Sequence, residues 1–451
     1  MTLDAERLKV IKELKDFFEE YDRELPEWLR EQRAQARRIF FEYEERGFPA
    51  GRHGMDFDLL AYRPDIARKH KPRKSLVELD DEMKKIAESA GQRIDEKGRA
   101  GTKLQEDADT TYLAFTEEGQ KLLEKFPNGV VVEDIEHAVH KYPWIEKLFG
   151  RILPMNLDKY TAYNAGHSIG GVFVWVKRGI RLDLPLQACF FVETLDYAQL
   201  PRILVVAEPY SKLHLISGCV TQPACDIGLH GCITEIYVGR GAEVTYSMIH
   251  NFRERFHVRP RIGAIVDEGA TYIENFIVIG PCKSDQAYPT AILRGKNARA
   301  VIRTIVLGVE SSNIDVGSAL IFSEEGTRGE LVSRAVATGE SKITMRGTLK
   351  GYAHPCKGHL ECRGLILEET ARAWAYPQLR SATPDANLTH EAAIGRIAEE
   401  QLHYMMSRGL DESTATSMIA RGFLDVETEG FPPLLREEIN RVIAMSLERV
   451  L

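Results

Sequence analysis

The sequence predicts a mainly β protein, a stack of short coils set between two helical regions, on three observations. Four related segments, "GRGAEVTYSMI", "DEGATYIENFIVIG", "GKNARAVIRTIVLG" and "SEEGTRGELVSRAV", carry aligned turn positions at Gly241, Gly269, Asn297 and Gly326, which stand 28, 28 and 29 residues apart. From about Lys159 to about residue 390, β-branched and aromatic runs are punctuated by Gly, Pro and Asn, which is the texture of strands. On either side of that stretch apolar residues recur at helical spacing.

Leu8, Ile11, Leu14, Phe17, Phe18 and Tyr21 define a first helix, and a charged amphipathic stretch from about Glu27 to Glu45 defines a second. The run Gly47-Phe48-Pro49-Ala50-Gly51 breaks the pattern. A third helix is expected to start at Ser75, whose hydroxyl caps it, and to carry Leu76, Leu79, Met83 and Ile86 on one face. The polar sequence from Gly91 to Thr110 reads as a mobile connection.

In the repeat, glycine and asparagine are the residues that best tolerate a left-handed backbone, so each aligned position marks a tight corner before an alternating strand. "AEPYSKLHLISG" fits the same frame about 31 residues upstream of Gly241. Coils of constant length bury their inner faces only against one another, which points to a β-solenoid. A β-sandwich with evenly spaced turns is the competing reading.

After Pro384 the helical period is expected to return: Ile394, Ile397, Leu402 and Met405 line one face, Gly409 ends that helix, Asp411 caps the next and Gly422 ends it. Phe431-Pro432-Pro433 leads into a last helix from Leu434 to about Val450.

The chain has 451 residues, enough for a large core that needs no disulfide or structural metal. Its charge balance, 59 − 67 = −8, argues against a nucleic-acid protein that relies on an overall positive field. The basic run Arg68 to Lys74 reads as a solvated loop rather than a binding patch. A charged amphipathic N-terminus and the lack of any long apolar run give the expectation of a soluble, cytoplasmic protein without membrane contact. No GxxxxGK[ST], GxGxxG after a strand or HExxH occurs, so the chain brings no Walker site of its own. A polysaccharide-cleaving solenoid would need paired carboxylates on one face, and none stands out.

All seven cysteines lie between Cys189 and Cys362, and in a reducing compartment this favours thiols over disulfides. "AHPCKGHLECRG" places His354, Cys356, His359 and Cys362 within nine positions, and a closed zinc clip is one reading of it. Against the clip, an extended strand puts Leu360, Cys362 and Gly364 on one face and Glu361 and Arg363 on the other. Cys219, Cys225 and Cys232 are spaced by six and seven, which matches no common zinc or ferredoxin motif. Cys189 and Cys282 have no nearby partner pattern.

Read together, "LTHEAAIGRIAEEQLHYMMSRGLDESTATSMIARGF", "GHLECRGLILEETARAWAYPQL" and "RILVVAEPYSKLHLISGC" resemble the SufB/SufD family of iron–sulfur cluster assembly proteins over roughly residues 160 to 432. The resemblance implies a right-handed parallel β-helix core at 155–382, between an N-terminal helical region at 1–150 and a C-terminal helical domain at 383–451. It further implies a scaffold rather than an enzyme, holding a transient iron–sulfur cluster where two such chains meet as a homodimer or heterodimer. A SufC-type ABC ATPase would dock on the C-terminal helices, at Tyr404, Arg408 and Gly409, and a sulfur donor and recipient apoproteins would complete the set of partners.

By position, Cys362 and Glu391 fall on residues implicated in cluster assembly and Cys219 on one linked to sulfur transfer, which makes the chain more SufB-like than SufD-like. His359 and His390 are added as candidate cluster or metal ligands, His390 alternatively orienting the carboxylate of Glu391. Soft thiolate with harder, exchangeable carboxylate suits a cluster that must be released. A SufD-like partner that holds no cluster and a zinc-binding β-solenoid are the alternatives.

Overall fold

The structure, a computed structural model, describes residues 5–46, 57–64, 76–106, 109–114, 119, 121, 124 and 129–424. Its centre is a parallel β-solenoid of eight coils. One sheet runs through eight parallel strands from Leu186–Val192 to Ala386–Arg396. The opposite sheet runs through eight more, from Gly171–Val176 to Arg372–Ser381. Every one of these pairings is parallel, which rules out the sandwich, since sandwich sheets are antiparallel.

The corners explain why the repeat is visible in sequence. Gly241, Gly269, Asn297 and Gly326 all have left-handed backbones, with φ of 61°, 64°, 58° and 71°. Tyr210, which is 31 residues before Gly241, continues the column at φ 65°. These corners are stitched by amide bonds from one coil to the next: Tyr210 N to Arg240 O at 2.9 Å, Gly241 N to Glu268 O at 2.8 Å, Gly269 N to Lys296 O at 2.9 Å and Asn297 N to Glu325 O at 3.0 Å.

Each inward position forms a column of side chains along the solenoid. In one sheet Val174, Val205, Ile236, Ala264, Ala291, Leu320 and Leu349 stand in register, all buried, and the column ends at Leu379, which is 40% exposed. In the other sheet Phe190, Cys219, His250, Val278, Val306 and Ala335 lead through Gly364 to Ile394, which is 39% exposed. Both columns run out at the last coil, so that end of the solenoid presents apolar side chains and two strand edges unpaired among the described residues.

Helices Ala5–Tyr21 and Glu27–Arg46 form as the periodicity predicts and pack with helix Lys159–His167 near the opposite end. Their apolar stripe, including Leu14, Phe18 and Phe40, meets Tyr163 and Leu200. Buried Asp22 accepts from Arg33 Nε at 2.7 Å and Arg37 Nη2 at 2.6 Å and thereby satisfies the charges taken into that core.

Three expectations are corrected. The third helix spans Asp81–Ser89 and is capped by Asp80, whose carboxylate accepts from Met83 N at 2.8 Å, while Ser75 lies outside the described residues. The stretch read as a mobile connection contains strand Gly101–Glu106, which adds to the sheet in parallel with Leu186–Val192 and pairs antiparallel with Asp109–Ala114. It was hidden because most of its buried side chains are polar and are satisfied by neighbouring strands: Gln187 Nε2 donates to Thr102 Oγ1 at 2.8 Å, and Lys103 pairs with Asp134 at 3.6 Å.

The third correction falls on the segment after residue 383. Residues 386–396, read as helical, form the last strand, and the helix begins only at Glu399. Gly409, at φ 94°, follows that helix, and Asp411 caps the next through Thr414 N at 2.9 Å. Gly422 does not end the second helix, which runs Glu412–Leu424. The expected helix from Leu434 lies outside the described residues. Ala420 and Leu424 pack against Val332, Val336 and Leu365, so this helix lies on the outer face of the solenoid.

Candidate functional site

Strand Cys356–Ile366 alternates as the sequence predicts: Cys356, Gly358, Leu360, Cys362 and Gly364 are buried inward, while His359, Glu361 and Arg363 face out. Cys362 is fully buried, with Ser333 before it and Ala392 after it in register. Burial pushes its thiol up to about 11, against the smaller opposing effects of the Ser333 hydrogen bond and the Arg334 charge.

The zinc clip does not form. Cys356 and Cys362 are six residues apart on one extended strand, a separation of about 20 Å. His359 faces the other side and bonds Thr389 Oγ1 at 2.8 Å, and His354 pairs with Asp385 at 3.0 Å at the coil corner.

Glu391 is in register with Glu361 and shares its outer face. Its carboxylate accepts from Arg363 Nη2 at 3.1 Å, and Glu361 is paired with Arg334 and Arg363, so the four side chains form one chain of ion pairs. Within one subunit Cys362 and Glu391 are thus on opposite faces of the sheet. His390 is in register with Leu360, which puts it on the inner face of the last coil, diagonally across from Cys362. It is exposed, because among the described residues no coil covers the last one. The structure therefore groups Cys362 with His390 on one face, and Glu391 with His359 on the other.

Cys219 is elsewhere. Its column reaches Gly364, two residues from Cys362, after five strand steps, a separation of about 24 Å along the axis. Val278, Val306 and Ala335 fill the way between them. Burial, then the neighbouring Cys232 and Cys189, push the Cys219 thiol well above its ordinary value, and burial pushes Cys232 up to about 12. Cys225 donates to Thr194 O at 3.2 Å, and all seven cysteines are buried free thiols, as expected of thiols rather than disulfides.

What the sequence reading missed stands beside Cys219: His250, its partner in register, and His230, whose donor atoms come within 4.8 Å of the thiol and of each other. The signal was present, because His250 is 31 residues after Cys219, the same step that separates Tyr210 from Gly241.

Tyr404 and Arg408 are exposed on helix Glu399–Ser407 and its C-cap, with Arg408 Nη2 donating to the Tyr404 hydroxyl at 3.1 Å. No side chain of that helix is buried, and Met406 and Met418 are also exposed. No described helix is long and apolar enough to cross a membrane.

The described residues form an eight-coil parallel solenoid whose last coil has no described coil stacked on it, with the Cys362 thiol buried one strand beneath that rim. Residues 190–423 match the core domain described as "SUF system FeS cluster assembly, SufBD core domain". The chain is 38% identical over 400 residues to an iron–sulfur cluster assembly SufBD family protein of Methanothermobacter thermautotrophicus, covering 88% of this chain and 95% of that one. A SufBD family protein of Archaeoglobus fulgidus is 37% identical over 363 residues, 80% of this chain and 95% of its own. Bacillus subtilis SufB is 26% identical over 442 residues, 96% and 93% of the two chains. The protein belongs to the SufBD family of iron–sulfur cluster assembly proteins, as the sequence motifs led one to expect.

Proposed function

We propose that the protein is a scaffold on which an iron–sulfur cluster is built at the open end of the solenoid, where two copies meet. The observation that carries this reading is the last coil itself. Its inner row, Leu388, His390, Ala392 and Ile394, has no described coil stacked on it, and Cys362 lies one strand below, shielded by the single methyl of Ala392. At that rim the two faces of the sheet end on one edge, so a second copy set against it meets inner-face His390 and outer-face Glu391 alike.

Thiolate from Cys362 supplies the soft ligand, and Glu391 or His390 supplies an exchangeable one, so the cluster is held in an incomplete set and can be passed on. The chain itself has no nucleotide motif, and in this reading ATP hydrolysis comes from a SufC-type ATPase. That partner docks on the exposed helix at Tyr404, Arg408 and Gly409, and a docked subunit would cover the exposed Met406 and Met418. The chain then acts as an assembly platform rather than an enzyme. With Cys219 about 24 Å from Cys362 through packed core, sulfur reaches the rim from outside rather than by direct handover between these two thiols.

Anaerobic incubation with ferrous iron and sulfide tests the reading. The dimer is expected to develop cluster absorption and equimolar iron and sulfide. A dimer that stays colourless, or a monomer that loads equally well, would sink it.

A further inference from the structure

Inside the solenoid, far from the rim, Cys219, His230 and His250 converge from three different strands, Lys212–Thr221, Ile227–His230 and Glu243–Asn251. One donor atom from each lies within 4.8 Å of the others. Atoms no farther apart than 4.8 Å share a centre within about 2.8 Å of all three, so shifts of about half an ångström reach the 2.0–2.3 Å of zinc–nitrogen and zinc–sulfur bonds.

The hydrogen bonds around the two rings fix which nitrogen is free. Gln199 Nε2 donates to Phe191 O at 2.9 Å, which leaves its Oε1 to accept from His230 Nδ1 at 2.9 Å. Asp285 Oδ2 accepts from His250 Nδ1 at 3.0 Å. Both rings are thereby held as the tautomer with a lone pair on Nε2, and both Nε2 atoms are buried with no hydrogen-bond partner. Two orphaned imidazole nitrogens are costly in a dry interior, and an Asp or amide oxygen on the far nitrogen is how metal-binding histidines are oriented. Phe190, Phe252 and Phe276 pack around the rings and exclude solvent.

The geometry points to a resident metal site made by Cys219 Sγ, His230 Nε2 and His250 Nε2, taking a divalent transition cation of the zinc or ferrous class. Metal binding is balanced in charge and protons: the thiol gives up its proton to solvent as the sulfur–metal bond forms, and thiolate plus the Asp285 carboxylate neutralise the two positive charges. Three protein ligands leave a fourth position open, as in sites that exchange a ligand. Nothing in this inference depends on the cluster site, which is about 24 Å away by strand spacing.

The test uses the full chain produced in cells grown with cobalt in place of zinc, so that metal is present as the solenoid closes. About one cobalt per chain is expected, with a thiolate-to-cobalt charge-transfer band and tetrahedral visible bands. Asp285→Asn, which keeps the shape of the side chain, should weaken retention against a chelator by about 10–100-fold. Cys219→Ser should abolish the charge-transfer band. Cys362→Ala should change neither readout, which separates this site from the rim. Folded parent protein that contains no stoichiometric metal after growth in zinc, iron or cobalt media would overturn the inference, as would a charge-transfer band that survives Cys219→Ser.

Discussion

Cys362 and Glu391 stand on neighbouring parallel strands with their side chains on opposite faces of the sheet, because Cys362 is in register with Ala392 and Glu391 with Glu361. One chain therefore cannot close the two around a single iron. In the proposed scaffold a second subunit set against the rim of the last coil would bring the two faces to one site.

The exposed end of the apolar column should hold the dimer. Leu379→Asp puts a charge where Leu379 is 40% exposed, so the monomer keeps its fold, and sedimentation velocity should show the dimer lost. A dimer that persists at the parent's concentration range would place the interface elsewhere.

Glu391→Ala removes an exposed ion pair to Arg363 and should cost less than about 1 kcal/mol in denaturant melts. Cluster yield should fall all the same if, as proposed, the carboxylate serves the cluster at the rim. A loss of stability as large as that of a core substitution would mark Glu391 as structural.

The corner column should respond to added side chains according to backbone and space. A Cβ at Gly269 meets nothing within 4 Å, so Gly269→Ala costs only its left-handed backbone, about 1 kcal/mol. At Gly241 the same Cβ would also press on the Tyr210 ring at 2.7 Å, so Gly241→Ala should cost more. Equilibrium unfolding of the two variants gives the order directly.

Glu274 is buried beside Tyr272, whose hydroxyl donates to it at 2.7 Å, and burial pushes its carboxyl up to about 8. Between the ordinary value of 4.5 and about 8 the folded protein keeps a proton that the unfolded chain has released. This group's contribution to stability is therefore largest at low pH and falls as pH rises through that window. Glu274→Gln should remove the fall, so the variant gains on the parent as pH goes from 5 to 8 in thermal melts.

The legible parts of the fold were those where one residue type solves a local problem. Left-handed corners select Gly and Asn, so Gly241, Gly269, Asn297 and Gly326 showed the coil length without any alignment of structures. Strand parity likewise foretold that Cys362 and His359 part company. Ala386–Arg396 was misread because no described coil covers it: without burial on one face its residues lack the alternation that marks a strand, and Ile394 fell by chance into helical spacing with Ile397. The Cys219, His230 and His250 cluster escaped notice because its members meet by stacking of coils, and motif spacing along the chain does not register a neighbour one coil away.

Cys356 and Cys362 provide the sharpest test, since both are inward, buried thiols on one strand and lie about 20 Å apart. Each alanine variant should cost about 1 kcal/mol of stability, comparable to other small core truncations. Iron and sulfide bound per dimer after anaerobic reconstitution should match the parent in Cys356→Ala and collapse in Cys362→Ala; a Cys362→Ala dimer that loads as much cluster as the parent would contradict assembly at the solenoid's open end.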